Sequence, residues 1–266
     1  MYNRYDNINK FITDIDKLKM DKYGTVYISE EDDYDISVCL VKTKYPQGSE
    51  KFIVESCLGI EIPSAKLPAD AGCIICNVGT VCAISDAFRL GMPLIERSLT
   101  ISGGAVENPC NIRVPIGTLI SDLIPDTFSL KEGAAVKCIS GGPMMGFAMS
   151  STGFPVAKGT SGVVFLTEKE TSLFEEDPCI SCARCANTCA MHLSPVMMLR
   201  SLKEGNIDRA KRFGLMDCIE CGCCAFVCPS RIKIVQRIRL GKGIARMKMA
   251  QEKNKTENKT EGTVKK

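Results

Sequence analysis

The chain has 266 residues, 45% hydrophobic and 24% charged, the balance of an ordinary water-exposed protein long enough for one large core or two modest ones. No apolar run approaches the roughly 18 residues that cross a bilayer, and no apolar stretch of a signal peptide follows Met1-Tyr2-Asn3-Arg4-Tyr5-Asp6, so the expected location is cytoplasmic. The net charge of +3 joins an acidic start, nine acidic against five basic side chains in residues 1–35, to a basic end, eight basic against three acidic in 241–266. No recognition motif accompanies the basic end, so no nucleic acid is expected as a partner; residues 243–266 read as a basic, disordered tail.

In chain order, a short helix is expected around Ile8 to Leu18 and a strand over Ile36-Ser37-Val38-Cys39-Leu40-Val41. A Tyr45-Pro46-Gln47-Gly48 turn leads into a helix from Ser49 to Leu58. Gly72 to Asn77 reads as a buried strand entering a helix that begins near Thr80. From Leu94 to Ser140, three β-rich runs (Leu99-Ile101, Asn111-Val114, Ala135-Ile139) flank one short helix near Thr118 to Leu123, the arrangement of a β-grasp-like module. A Gly-rich loop, Ser140 to Gly146, and a last strand, Gly162 to Leu166, precede the cysteine region that starts at Asp177-Pro178 and ends near Lys242. Within it, Ser194-Pro195 opens a helix over Val196 to Leu202; Glu204-Gly205-Asn206 interrupts it and Ile207 to Phe213 resumes.

Sixteen cysteines in a chain with no sign of secretion read as metal ligands rather than disulfides. Eight of them form an internal repeat, Cys179, Cys182, Cys185, Cys189 and then Cys218, Cys221, Cys224, Cys228, each spelled C-x-x-C-x-x-C-x-x-x-C. Three thiolates spaced in this way wrap one loop around three irons of a cubane, and the fourth points away to the other cluster. One [4Fe–4S] cluster is therefore expected on Cys179, Cys182, Cys185 and Cys228, and a second on Cys218, Cys221, Cys224 and Cys189. The competing reading is a scaffold with two structural zinc sites, but zinc proteins set paired C-x-x-C knuckles well apart.

The other cysteines carry less. Cys73 and Cys76 would face opposite sides of a strand and read, with Cys39, Cys57, Cys82, Cys110 and Cys138, as buried small apolar side chains. Cys223 falls out of register and reads as a neighbour of a cluster, and His192 as a surface histidine. Gly141-Gly142-Pro143-Met144-Met145-Gly146 lacks the lysine and following helix of a phosphate loop. No catalytic residue, nucleophile–base pair or nicotinamide fingerprint emerges.

Several segments resemble one family. Lys44-Tyr45-Pro46-Gln47-Gly48-Ser49-Glu50-Lys51, Leu67-Pro68-Ala69-Asp70-Ala71-Gly72, Asn77-Val78-Gly79-Thr80, the Gly141–Gly146 loop and Asp217-Cys218-Ile219-Glu220-Cys221-Gly222-Cys223-Cys224 look like stretches of the C subunit of the Rnf electron-transport complex. The likeness runs from about Ile36 to Lys242, with Ala190 where the family usually has proline. It implies an α/β + α architecture: a partial α/β region like the flavoprotein subunit of complex I over 1–93, a β-grasp (SLBB-like) module over 94–146, a β connector over 147–176 and an α-helical two-[4Fe–4S] ferredoxin-type domain over 177–242.

The same resemblance implies a peripheral subunit on the cytoplasmic face of the membrane. Its partners would be other Rnf-type subunits and a ferredoxin or flavoprotein electron donor or acceptor. The complex couples ferredoxin/NAD electron transfer to ion translocation, and this chain would not be catalytic alone. Tyr45, Gly48, Glu50, Asn77 and Thr80 would line one side of an FMN pocket. The family's phosphate-cradling Gly-rich loop is absent from the sequence, so the chain alone is not expected to hold flavin tightly. A soluble relay to an amino-acid reductase or a cobalamin-dependent pathway is the alternative.

Overall fold

The computed structural model describes residues 25–27, 37–171 and 175–264; the helix expected over Ile8 to Leu18 lies outside them. The chain divides into two compact units, Met1–Ile75 and Cys76–Lys266.

In the first unit, β1 (Thr25–Tyr27) and β2 (Ser37–Cys39) pair antiparallel, Val26 opposite Val38. The Tyr45–Gly48 turn is closed by the Gln47 amide donating to the Lys44 carbonyl at 2.7 Å. It feeds α1 (Glu50–Leu58), which has an acidic residue in its first turn, where the helix dipole favours one, and ends on Gly59 at φ 68°. Val54 on α1, Ile62 and Pro68 are buried.

The second unit opens on the irregular segment that leads into α2 (Val78–Leu90). The strand expected over Gly72 to Asn77 is not formed: no strand among the described residues pairs with it, and Ile74 is 86% exposed. An extended run becomes a strand only when a neighbour takes up its amides and carbonyls. The helix begins at Val78 rather than near Thr80, because the Asn77 side chain caps it by accepting from the Gly79 amide at 2.9 Å.

A five-stranded mixed sheet follows, built from β3 (Glu96–Ser102), β4 (Cys110–Pro115), β5 (Lys137–Ser140), β6 (Phe147–Met149) and β7 (Gly162–Leu166), in the order β4-β3-β7-β5-β6. Alternation along β3 and β7 turns Leu99, Ile101, Val163 and Phe165 into one core, where each buried large side chain contributes about 1.5–3 kcal/mol. The Phe128 and Phe165 rings meet there at 5.6 Å. The helix expected near Thr118 to Leu123 is a single 3-10 turn, Ile120–Leu123, that buries both of its end residues. β7, read in the sequence as part of a connector, is the central strand, parallel to β3 and antiparallel to β5.

The cysteine region is helical: α3 (Arg184–Asn187), α4 (Pro195–Lys203), α5 (Ile207–Arg212), α6 (Cys223–Phe226) and α7 (Ile234–Val264). Met198, Ile207, Ala210, Leu215, Ile234 and Ile238 make its core. α7 carries on through most of the segment expected to be a disordered tail. Arg, Met, Lys, Ala, Gln and Glu, which dominate the stretch after Ile244, are all good helix formers, so low apolar content there does not prevent a helix.

Candidate metal centre

The cysteine repeat is also a repeat of backbone conformation. Ser181, Ala183 and His192 have φ of 55°, 58° and 52°; Glu220, Gly222 and Arg231, at the same places in the second copy, have 59°, 85° and 52°. The hydrogen bonds repeat as well: the Asn187 and Phe226 amides donate to Ala183 and Gly222, and those of His192 and Arg231 to Cys189 and Cys228. α3 and α6, then α4 and the start of α7, fall in the same register. Left-handed residues other than glycine cost of order 1–3 kcal/mol each and gather at functional sites. Here Ser181, Ala183, Glu220 and Gly222 turn the chain between successive cysteines, and His192 and Arg231 turn it after the fourth; such backbone concavities suit anionic groups, iron–sulfur clusters among them.

The eight thiols ring two cavities. The first, of about 220 Å³, is lined by Cys179, Cys182, Cys185 and, from the other copy, Cys228. The second is lined by Cys218, Cys221, Cys224 and, from the first copy, Cys189. Val196, Leu199, Ile232 and Ile234 wall the first, and Leu193, Met198, Val235 and Ile238 the second. The second is closed down to about 20 Å³, room for roughly one water, so seating four irons there requires its thiols to rotate outward.

Electrostatics follow the same grouping. Burial pushes the Cys224 thiol up to about 12, with Cys218, Cys221 and Cys189 adding to the rise. Burial also raises Cys218, opposed by the Glu220 amide and the Lys242 ammonium. Cys185 is raised by burial, with Cys228 contributing in the same direction. Such thiols stay protonated until a metal displaces their protons.

Among the described residues no three His, Cys, Asp or Glu side chains converge as a single metal ion requires. Tetrahedral zinc, with Zn–S of about 2.3 Å, draws its thiolates onto one point. Two all-thiol rings around cavities are a donor set that fits iron–sulfur clusters, each held by four cysteines.

Cys223 does not line the second cavity; its thiol is pushed up to about 11 by burial and then by Cys221 beside it. His192 is exposed. Of the cysteines expected to be buried, Cys138 is; Cys39, Cys73 and Cys110 are half-buried, whereas Cys57, Cys76 and Cys82 are exposed. Cys57 lies in the last turn of α1 beside Cys39 at the end of β2, while Cys76 lies on the unpaired segment and Cys82 on α2.

A polar network beside the second cavity is not foreseen from the sequence. Glu220 accepts from Arg239 Nε and Lys242 Nζ, each at 2.8 Å. Burial opposes its charge, but the bonds to Lys242 and Arg239 hold its carboxyl below the usual range. Arg239 Nη2 also donates to the Met145 carbonyl at 2.8 Å, and its guanidinium lies 4.5 Å over the Phe147 ring. A Cβ on Gly222 would stand 2.8 Å from the Met144 carbonyl. The Gly141–Gly146 loop thus packs backbone to backbone on the second cysteine loop. Comparing the two copies would have given the signal, since Glu220 stands where the first has Ser181.

The residues expected to contact flavin lie some in each unit. Tyr45, Gly48 and Glu50 occupy the turn and first residue of α1, and Asn77 and Thr80 the start of α2; none of the five is buried. On α2, Val78, Val81, Ile84 and Phe88 form an exposed apolar stripe.

Residues 3–86 match the family described as the Nuo51 FMN-binding domain, and residues 99–148 the SLBB domain. The chain is 45% identical over 221 residues, 83% of its length and 48% of the relative's, to the C subunit of the proton-translocating ferredoxin:NAD(+) oxidoreductase complex of Clostridium ljungdahlii. It is 37% identical over 237 residues, 88% of its length and 53% of the relative's, to the Na(+)-translocating counterpart of Acetobacterium woodii. Against the C subunit of the ion-translocating oxidoreductase complex of Rhodobacter capsulatus the identity is 36% over 210 residues, 79% and 40% of the two lengths. No helix among the described residues is long and apolar enough to cross a membrane. The chain belongs to the family of Rnf-type C subunits and spans about half the length of the curated relatives it matches.

Proposed function

We propose that this chain is an electron-transfer component of a membrane-bound Rnf-type complex that couples ferredoxin/NAD electron transfer to ion translocation. The observation that carries the reading is the pair of four-thiol rings, each closed by the last cysteine of the opposite copy. Cys179, Cys182, Cys185 and Cys228 would hold one [4Fe–4S] cluster, and Cys218, Cys221, Cys224 and Cys189 the other. Bound there, the clusters supply one-electron exchange at potentials set by their surroundings.

The protein's own part is to hold, space and dry them. Crossed ligation ties the two copies together and sets the cavities side by side. The apolar side chains of α4 and the start of α7 keep water from the inner face of each. The Gly141–Gly146 loop covers the second cysteine loop, joining the sheet module to the cluster region through Arg239.

The partners fit the relatives' names: other subunits of such a complex, with this chain peripheral on the cytoplasmic face. Tyr45, Gly48 and Glu50 in the first unit, and Asn77 and Thr80 in the second, are the residues we propose for flavin contact, in keeping with the match to an FMN-binding family. Anaerobically purified protein is expected to contain about eight irons and about eight acid-labile sulfides per chain. About two zincs and no sulfide would defeat the proposal.

A further inference from the structure

The two cysteine copies share a backbone, but their side chains diverge where charge reaches the ligand loop. In register, Arg200 and Lys203 of α4 correspond to Arg239 and Lys242 of α7, and Ser181 to Glu220. In the first copy Arg200 Nη2 donates to the neutral Ser181 hydroxyl at 3.1 Å, and Lys203 is exposed. In the second, Lys242 is only 6% exposed. Its ammonium donates to the Cys218 carbonyl and to Glu220 Oε1. Glu220 is shared with Arg239, which is itself anchored on the Met145 carbonyl.

Resting on the two-cluster reading, we infer that Lys242 raises the reduction potential of the cluster held by Cys189, Cys218, Cys221 and Cys224. Taking up an electron adds one negative charge to that cluster, and net charge and solvent exposure tune such potentials. The ammonium sits on the carbonyl of a ligand residue, out of water, where salt and solvent screen it little. Lys203, at the matching place in the first copy, is solvated and screened. Glu220 opposes Lys242 but is shared with Arg239, so the three side chains together leave one positive charge against the second ligand loop.

Burying an ammonium carries a desolvation penalty that an apolar side chain of similar volume avoids. Packing alone therefore gives no reason for lysine here. A role toward a charge-gaining neighbour does.

The test is a redox titration of the full chain, purified anaerobically with both clusters, with dithionite as electron donor and electron paramagnetic resonance as readout. Cys221→Ser marks the signal of the second cluster by altering it. Lys242→Met should shift that signal's midpoint downward, by about tenfold in its reduction equilibrium, equal to about 59 mV for one electron. The other signal should stay in place. Glu220→Gln should shift the same signal upward, because it removes the opposing negative charge. Should Lys242→Met fail to assemble the second cluster, the upward shift in Glu220→Gln decides alone. Unchanged midpoints, or both variants moving in the same direction, would overturn the inference while leaving eight irons and eight sulfides, and hence the two-cluster reading, intact. A wild-type chain without those irons and sulfides would remove the reading and the inference together.

Discussion

The Cys185 and Cys228 side chains line the same cavity, although they belong to different copies of the repeat. Cys228 lies one helical turn beyond Cys224, yet Cys224 lines the other cavity. The fourth cysteine follows the short α6 and lines the other cavity from the first three.

That arrangement makes the cysteines of one cluster predictable by phenotype rather than by position. Cys228→Ala and Cys182→Ala should damage the same cluster and leave the same survivor, and Cys189→Ala should match Cys221→Ala. Electron paramagnetic resonance of the reduced variants reads which signal persists. A phenotype shared by Cys228→Ala and Cys221→Ala, and absent from Cys182→Ala, would mean that each copy holds its own cluster.

A second prediction concerns the sheet. Gly103 follows β3 with φ of 111°, and a Cβ there would stand 2.0 Å from the Phe165 carbonyl oxygen on β7 and 2.8 Å from its amide nitrogen. Neither is the movable end of a side chain. Gly103→Ala should therefore cost about 3 kcal/mol or more, joining a strained conformation to a backbone clash at the central strand. Gly133→Ala, also at positive φ but in open space, should cost about 1 kcal/mol. Thermal unfolding of the two variants compares them. Equal losses would show that the strand contact is not the cause.

The cysteine region is the most legible part of the sequence. Cysteine spacing is a local code, and the doubled motif gives the register of the helices that follow and which thiols line each cavity. Leu99, Ile101, Val163 and Phe165 are legible in a weaker sense, because alternation identifies a strand without saying which strands adjoin it. Nothing in the residues of β7 therefore announces that it lies in the middle of the module rather than in a connector. Gly72 to Asn77 misleads in the opposite way: an apolar run resembles a strand whether or not a neighbour exists to pair with it. For Lys242 and Glu220 the comparison of the two copies marks Glu220 as the odd residue, but its meeting with Lys242 depends on α7 returning over the second cysteine loop.

The last prediction is a pH dependence. Glu170 is exposed, but its Oε2 accepts from the Thr167 amide at 2.9 Å, the Thr167 hydroxyl at 2.9 Å and the Gly104 amide at 3.1 Å. These bonds, the Thr167 amide foremost, hold its carboxyl below the usual range, with Lys131 nearby acting in the same direction. All are stronger to the ionised carboxylate than to the neutral acid, and the unfolded chain does not hold them in place. The folded carboxyl therefore releases its proton at lower pH than the unfolded one. Its contribution is complete above the ordinary carboxylate range, shrinks as pH falls, and is gone below the depressed folded value. Glu170→Gln should lower the melting temperature at neutral pH, and the gap to wild type should close as the pH is taken below about 4, the ordinary carboxylate range. Melting curves of both proteins over a pH series measure that gap. A gap that stayed constant down to acid pH would assign Glu170 a packing role independent of its charge.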